Sequence, residues 1–268
     1  MSHEIIGFLA AFGLFLGMLL FLEIGRHIGI RRLKEDAGSS AEGVGAIDGA
    51  VFALLGLLLA FTFSGASARF DGRRQLVVEE TNDIGTAYLR IDMLPADAQP
   101  ALRESFRRYL DARIEVYERF PDMAAVKESL ARADELQKQI WRQAIAASRA
   151  EGASLAAAML MLPALNAMID IRTTRTMATQ MHPPMVIFAM LFGLALAASL
   201  LAGYGMTGGR VRSWFHMLGF ALVMAVAVYV ILDIEYPRLG LIRVDAFDQA
   251  MIDLRASMGR DIQTPARK

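Results

Sequence analysis

Charge disappears from this chain in long blocks and returns in long blocks. Four windows are almost wholly apolar: Ile5–Gly25, Ala46–Gly65, Met185–Gly205 and Trp214–Leu232. Crossing the roughly 30 Å hydrocarbon core of a bilayer takes about 20 apolar residues in a helix. Each window reaches that length. Lipid offers no hydrogen-bond partner to a backbone, so each window is predicted to be a helix. The rival reading, buried helices of a large soluble core, does not account for four such windows, the third of them free of charge. The first run is read as a retained helix and not as a secretory signal. Met1–Glu4 holds no Lys or Arg, and a basic cluster follows the run where a small-residue cleavage site would stand.

The windows form two pairs along the chain. A short basic loop, Arg26–Lys34, is expected to join the first pair, and Thr207–Arg212 the second. Between the pairs lies the polar stretch Arg69–His182, which reads as helical throughout. Ser67–Leu94 lacks proline and continues the second window until Pro95. In Gln99–Phe120 the residues Leu102, Phe106, Tyr109, Leu110, Ile114 and Tyr117 recur at three-to-four spacing, the mark of a helix with one buried face. Pro121-Asp122 then opens a helix over Met123–Ala150. A last helix covers Ser154–Met181, with Pro163 as an expected kink. Its apolar run around Leu155–Leu165 is too short to span and is read as core. The expected fold is therefore an all-α membrane protein. It has four transmembrane helices in two pairs, residues 1–66 and 183–233. An extramembrane helical domain, 67–182, separates them, and an extramembrane tail, 234–268, follows.

Composition narrows the function. Apolar residues make up 55% of the chain and charged ones 21%, against about 45–50% and 25% in soluble domains. Lys and Arg balance Asp and Glu at 28 each, so no nucleic-acid partner is expected. There is no cysteine, which excludes disulfides, thiol catalysis and thiolate metal sites. His3, His27, His182 and His216 are scattered without ligand spacing, and no phosphate-binding or nucleophile motif occurs. No metal, cofactor or catalytic residue is expected, and no enzyme. Basic residues flank the spans in nearly equal numbers on the two sides. Those in the short loops favour an exterior location for both termini and the helical domain.

The second window carries a stripe of small residues, Gly45, Gly49, Ala53, Gly56, Ala60 and Ser64. Such a stripe lets helix backbones approach closely in lipid. It also suits a helix lining a narrow pore, where Leu54, Leu58, Phe61 and Phe63 would supply a hydrophobic constriction. Arg69, Arg73 and Arg74 follow on the same helix, either anchoring it at the membrane surface or attracting anions to a pore mouth. Glu23 is expected to pair locally with Arg26 or His27. Asp48 sits in the first turn of its helix, where the dipole favours an acid. Asp233 and Glu235 close the last window. Pro237 ends the helix leaving the membrane, and Tyr236 suits the interface. Arg238 and Arg243 are expected to reach Glu79, Glu80 or Asp83 and so lock two membrane exits together, the alternative being direct contact with an anion.

Three stretches resemble, together, the bacterial bestrophin-like family: LLGLLLAFTFSGASARFDGRR at Leu54–Arg74, VVEETNDIGTAYLR at Val77–Arg90, and DIEYPRLGLIRVD at Asp233–Asp245. The most specific part is the pattern of Glu80, Asn82, Ile84, Gly85, Tyr88, Leu89 and Arg90, joined by Pro237 and Arg238 in the third stretch. The resemblance implies a pentameric, anion-conducting channel of the bacterial inner membrane. Four spans per subunit would surround one pore lined by the second span, with inorganic anions and membrane lipid as partners. It also implies a cytoplasmic helical domain, opposite to the loop charges. The bestrophin neck, a motif of regularly spaced apolar residues, has only a loose counterpart in Leu54, Leu58 and Phe61. No acidic calcium clasp of the animal channels is present. The alternative reading is a non-conducting scaffold or sensor whose helical domain binds a partner.

Overall fold

The computed structural model describes residues 3–35, 44–119, 122–206, 214–236, 242 and 245–260. Among them every regular element is helical: α1 (His3–Glu35), α2 (Val44–Leu89), α3 (Gln99–Glu118), α4 (Met123–Ser148), α5 (Leu155–Gln180), α6 (Met185–Gly205), α7 (Trp214–Glu235) and α8 (Asp245–Arg260). A 3-10 turn at Arg90–Met93 closes α2. Among the described residues four segments, holding α1, α2, α6 and α7, are long and apolar enough to cross a membrane.

The elements follow from the local chemistry. α2 runs for 46 residues because no proline interrupts it, and its last turn tightens just ahead of Pro95. Pro100 starts α3, where its missing N–H costs nothing. The Asp122 carboxylate caps α4 by accepting from the backbone N–H groups of Ala124 and Ala125 at 3.0 and 3.2 Å. α5 runs through Pro163 as one helix.

One expectation is corrected. The basic segment after the first window is not a loop: α1 continues through Arg26, Arg31, Arg32 and Lys34 to Glu35. Its strong helix formers outweigh Gly25 and Gly29, each of which costs about 1 kcal/mol relative to Ala. The tail contains a helix, α8, whose Met251 and Met258 are fully buried. The second connection, Thr207–Arg212, lies outside the described residues.

Two compact units share the chain. The first is Met1–Phe70 with His182–Ile242; the second is Asp71–Met181 with Arg243–Lys268. In the first unit α1 packs against both α6 and α7. The α1–α6 contact is made by backbone. A Cβ added to Gly25 would stand 1.9 Å from the Leu200 carbonyl oxygen, and one added to Gly203 would stand 2.0 Å from that of Leu22. Gly17 meets Leu196 and Arg32 meets Tyr204, so the two helices run parallel. Apolar burial drives little helix association in lipid, and close approach of this kind takes its place.

The second unit is a water-type core. Ile84 and Tyr88 of α2 pack with Phe106 and Tyr109 of α3, Ile140 of α4 and Leu165 of α5. α8 is fastened onto it. Arg255 donates twice to Asp111 at 2.7 and 3.0 Å, and Arg107 and Tyr88 donate to the Met258 carbonyl at 3.1 and 3.4 Å.

The glycine contact gives a direct expectation. Gly203→Val forces a side chain into the Leu22 backbone, an overpacking of at least the usual 1–3 kcal/mol. Gly193→Val, where nothing lies within 4 Å of the added Cβ, serves as control. Thermal unfolding in detergent should show a fall in Tm of several degrees for the first and little change for the second. Equal behaviour would remove the backbone contact from the account.

Candidate functional site

α2 within the first unit has one packed side and one bare side. Phe52, Leu55, Leu59 and Ala66 face the rest of the unit, with Phe52 edge-on to Phe220 of α7 at 6.1 Å. The small stripe lies elsewhere. Gly45, Gly49, Ala53, Gly56, Ala60 and Ser64 are all exposed, and a Cβ added at Gly45, Gly49 or Gly56 would meet nothing within 4 Å. Leu54 and Phe61 flank the stripe and are exposed, while Leu58 is half-buried. Only 6% of the most apolar window of α2 is buried, against 44% for α7. Within the chain, the close helix approach is thus made by Gly25 and Gly203, and the α2 stripe takes no part in it.

The three arginines that follow are all engaged. Arg69 grips the carboxylate of Glu235, the last residue of α7, through Nε at 3.0 and 3.1 Å and Nη2 at 2.8 Å. Glu235 is fully buried, and His182 Nδ1 lies 3.1 Å from its other oxygen. The His182 ring stacks on Tyr236 at 4.6 Å. Asp233, two residues earlier, accepts from the Ile242 N–H at 2.8 Å. Arg73 donates to the carbonyls of Ala178 and Met181 at the end of α5, and Arg74 pairs with Asp71 at 3.0 Å. The exits of α2 and α7 are therefore tied together through Arg69 and Glu235. Arg238 and Arg243, from which such a tie was expected, lie outside the described residues, as does Pro237. Glu23 pairs with His27 at 3.3 Å, as its spacing predicts.

The residues of the most specific sequence pattern build a different feature. Glu80, Ile84 and Tyr88 recur at four-residue steps and all face inward, while Asn82 and Leu89 face outward. Gly85 leaves room for Leu254 of α8, and Arg90 donates to the Leu160 carbonyl. Tyr88 is edge-on to Phe106. Glu80 is fully buried between two guanidinium groups. Arg113 of α3 donates to its two oxygens at 2.6 and 3.0 Å, and Arg175 of α5 donates at 2.6 Å. Asp248 of α8 stands 3.5 Å from Arg175, so two carboxylates balance two cations. The Tyr117 hydroxyl accepts from Arg113 at 2.8 Å, and the Tyr117 ring lies under Arg175 at 4.3 Å. Burial alone would raise the Glu80 pKa, but the charges and hydrogen bonds of Arg113 and Arg175 hold it below its ordinary 4.5. This cluster holds four helices in register. Among the described residues no three His, Asp or Glu side chains converge as a metal site.

Sequence reading missed Arg113 and Arg175, although each leaves a trace. Arg113 continues the inward spacing of Leu102, Phe106, Tyr109 and Leu110, and Arg175 that of Met161, Leu165, Met168 and Ile171. A cation on the apolar face of a helix requires a buried counter-charge.

Removing one partner of a buried ion pair typically costs about 3–5 kcal/mol, because the other charge stays buried. Glu80→Gln strands two guanidiniums, so Tm at neutral pH should fall by roughly 6 °C or more. A lowered carboxyl pKa gives stability that is complete above 4.5 and is lost as pH falls through the folded-state value. The gap in Tm between wild type and Glu80→Gln should therefore be widest near neutrality and close below pH 4.5. A gap independent of pH would show that the carboxylate charge is not what the cluster uses.

The Bestrophin-like domain family matches residues 18–246. No curated protein matches the chain in sequence. The fold resembles crystal structures of a bacterial bestrophin homologue from Klebsiella pneumoniae. One point-mutant form is 15% identical with a TM-score of 0.70, covering 92% of this chain and 98% of that one. Another crystal structure of the homologue, solved by Zn-SAD phasing, is 14% identical with a TM-score of 0.66, covering 90% and 98%. At such identity the likeness is one of fold. The sequence match extends from within α1 to the start of α8, and with it this integral membrane chain belongs to the bestrophin-like family.

Proposed function

We propose that the chain is one subunit of a homo-oligomeric ion channel that conducts anions, with α2 lining the pore. The setting is the bacterial inner membrane, and the subunit number follows bestrophins at five. One observation carries the reading: a transmembrane helix whose small-residue side is bare within its own subunit. In a ring of identical subunits the bare sides face one axis. Small residues there leave room for an ion, and Leu54 and Phe61 beside them suit a hydrophobic constriction that closes by dewetting.

Arg74 is the cation of the group best suited to attract anions at the mouth of such a pore. Its Asp71 pair is solvent-exposed, and exposed pairs are weak. Arg69 serves structure first, since Glu235 is buried beneath it.

The test is chloride flux into liposomes holding the purified chain. Gly56→Leu should preserve the oligomer and lower flux at least tenfold, because leucine adds bulk at the narrowest part. Arg74→Gln should reduce flux more at low salt, where the Debye length grows from about 8 Å to roughly 30 Å. An intact oligomer without flux would refute the channel and leave the scaffold reading. Loss of the oligomer in Gly56→Leu would make the stripe a packing surface.

A further inference from the structure

The helical extension of α1 is not used by the pore. The apolar window ends near Gly25, and about ten residues of helix follow it. Four-residue steps along one side give Leu20, Ile24, Ile28 and Arg32, all exposed. An apolar track thus runs up the outside of the helix and ends on a guanidinium. The track is about 18 Å long at 1.5 Å per residue, close to the reach of an acyl chain.

The cation at its end is fixed in place. Arg32 Nη1 donates to the Tyr204 hydroxyl at 3.0 Å, at the end of α6. That partner is neutral, so the charge is not cancelled. Arg31, next along the helix, is also exposed, and among the described residues it forms no ion pair. Trp214 and Phe215 begin α7 just after α6 ends, and both are exposed. Tyr and Trp together with Lys and Arg mark the level of lipid headgroups.

We infer that the end of α1 binds an anionic phospholipid, with its phosphate on Arg32 and Arg31 and an acyl chain along Ile28, Ile24 and Leu20. Charge selects the ligand. Cations that have no acidic partner among the described residues, above an apolar track, favour a headgroup of net negative charge over a zwitterionic one. The Tyr204 hydroxyl holds the Arg32 side chain before the lipid arrives, so less rotamer freedom is lost on binding.

The probe is phosphatidylglycerol, with phosphatidylcholine and inorganic phosphate as comparisons. Thermal unfolding of the full chain in detergent is followed as each is added. Phosphatidylglycerol should raise Tm in a saturable way, with the others having little effect, and high salt should abolish the difference. Affinity should fall about fivefold for Arg32→Gln and by a similar factor when the Arg31 charge is also removed. Tyr204→Phe should weaken it about twofold, and Lys127→Gln, an exposed cation of the helical unit, should leave it unchanged. Equal stabilisation by phosphatidylcholine, or by inorganic phosphate alone, overturns the proposal. If the α1 variants fail to fold, the lipid preference of the wild type and its loss in salt decide the matter.

Discussion

Helices in lipid gain almost nothing by hiding apolar surface from one another, and that constraint governs this molecule. What joins α1 to α6 is the absence of side chains at Gly25 and Gly203, which lets each backbone rest on the other. Because α1 is also flanked by α7, the close contacts of the first unit concentrate on α1. α2 is left with one packed side, seated through Phe52, Leu55 and Ala66, and one bare side. A bare apolar side is no liability in lipid. A bare side made of glycine, alanine and serine gives lipid little to pack against, and it suits another copy of the chain or an ion path better.

The charged groups obey a different rule, set by water. Where α2 and α7 leave the apolar region, Glu235 is buried and bound by Arg69 and His182. Farther along α2, Glu80 is buried and claimed by Arg113 and Arg175. Each cluster costs several kcal/mol in desolvation and returns it only when every partner is present. Their contribution is therefore one of registry. The first fixes the end of α7 against α2, and the second fixes α3, α5 and α8 against the same helix. α2 is the element that both clusters hold.

Much of this architecture can be read from the chain because lipid imposes a length and a composition on every span. The four windows, the unbroken α2 and the Pro121-Asp122 start of α4 all rest on such local rules. The continuation of α1 beyond Gly25 was obscured because basic residues after a span read as a loop, whereas helix propensity knows no membrane boundary. α8 was missed because Met251, Leu254 and Met258 are few, and a tail gives no second reason to look. The partners of Glu80 were hidden for a deeper reason. Arg113 and Arg175 stand 33 and 95 residues away, and spacing within one helix cannot say which carboxylate a buried arginine meets. The small stripe was legible as a stripe. Which side of α2 it occupied, packed or bare, required the structure.

The central claim is that the bare side of α2 faces water in the assembled protein. The chain contains no cysteine, so single cysteines report cleanly. Ala53→Cys, Gly56→Cys and Ala60→Cys, reconstituted in liposomes, can be treated with a charged, membrane-impermeant thiol reagent, with Val223→Cys on the exposed side of α7 as the lipid-facing control. The account predicts rapid modification at the three α2 positions, a block of chloride flux, and no reaction at residue 223. Protection of all three α2 cysteines in a folded, assembled protein would contradict it.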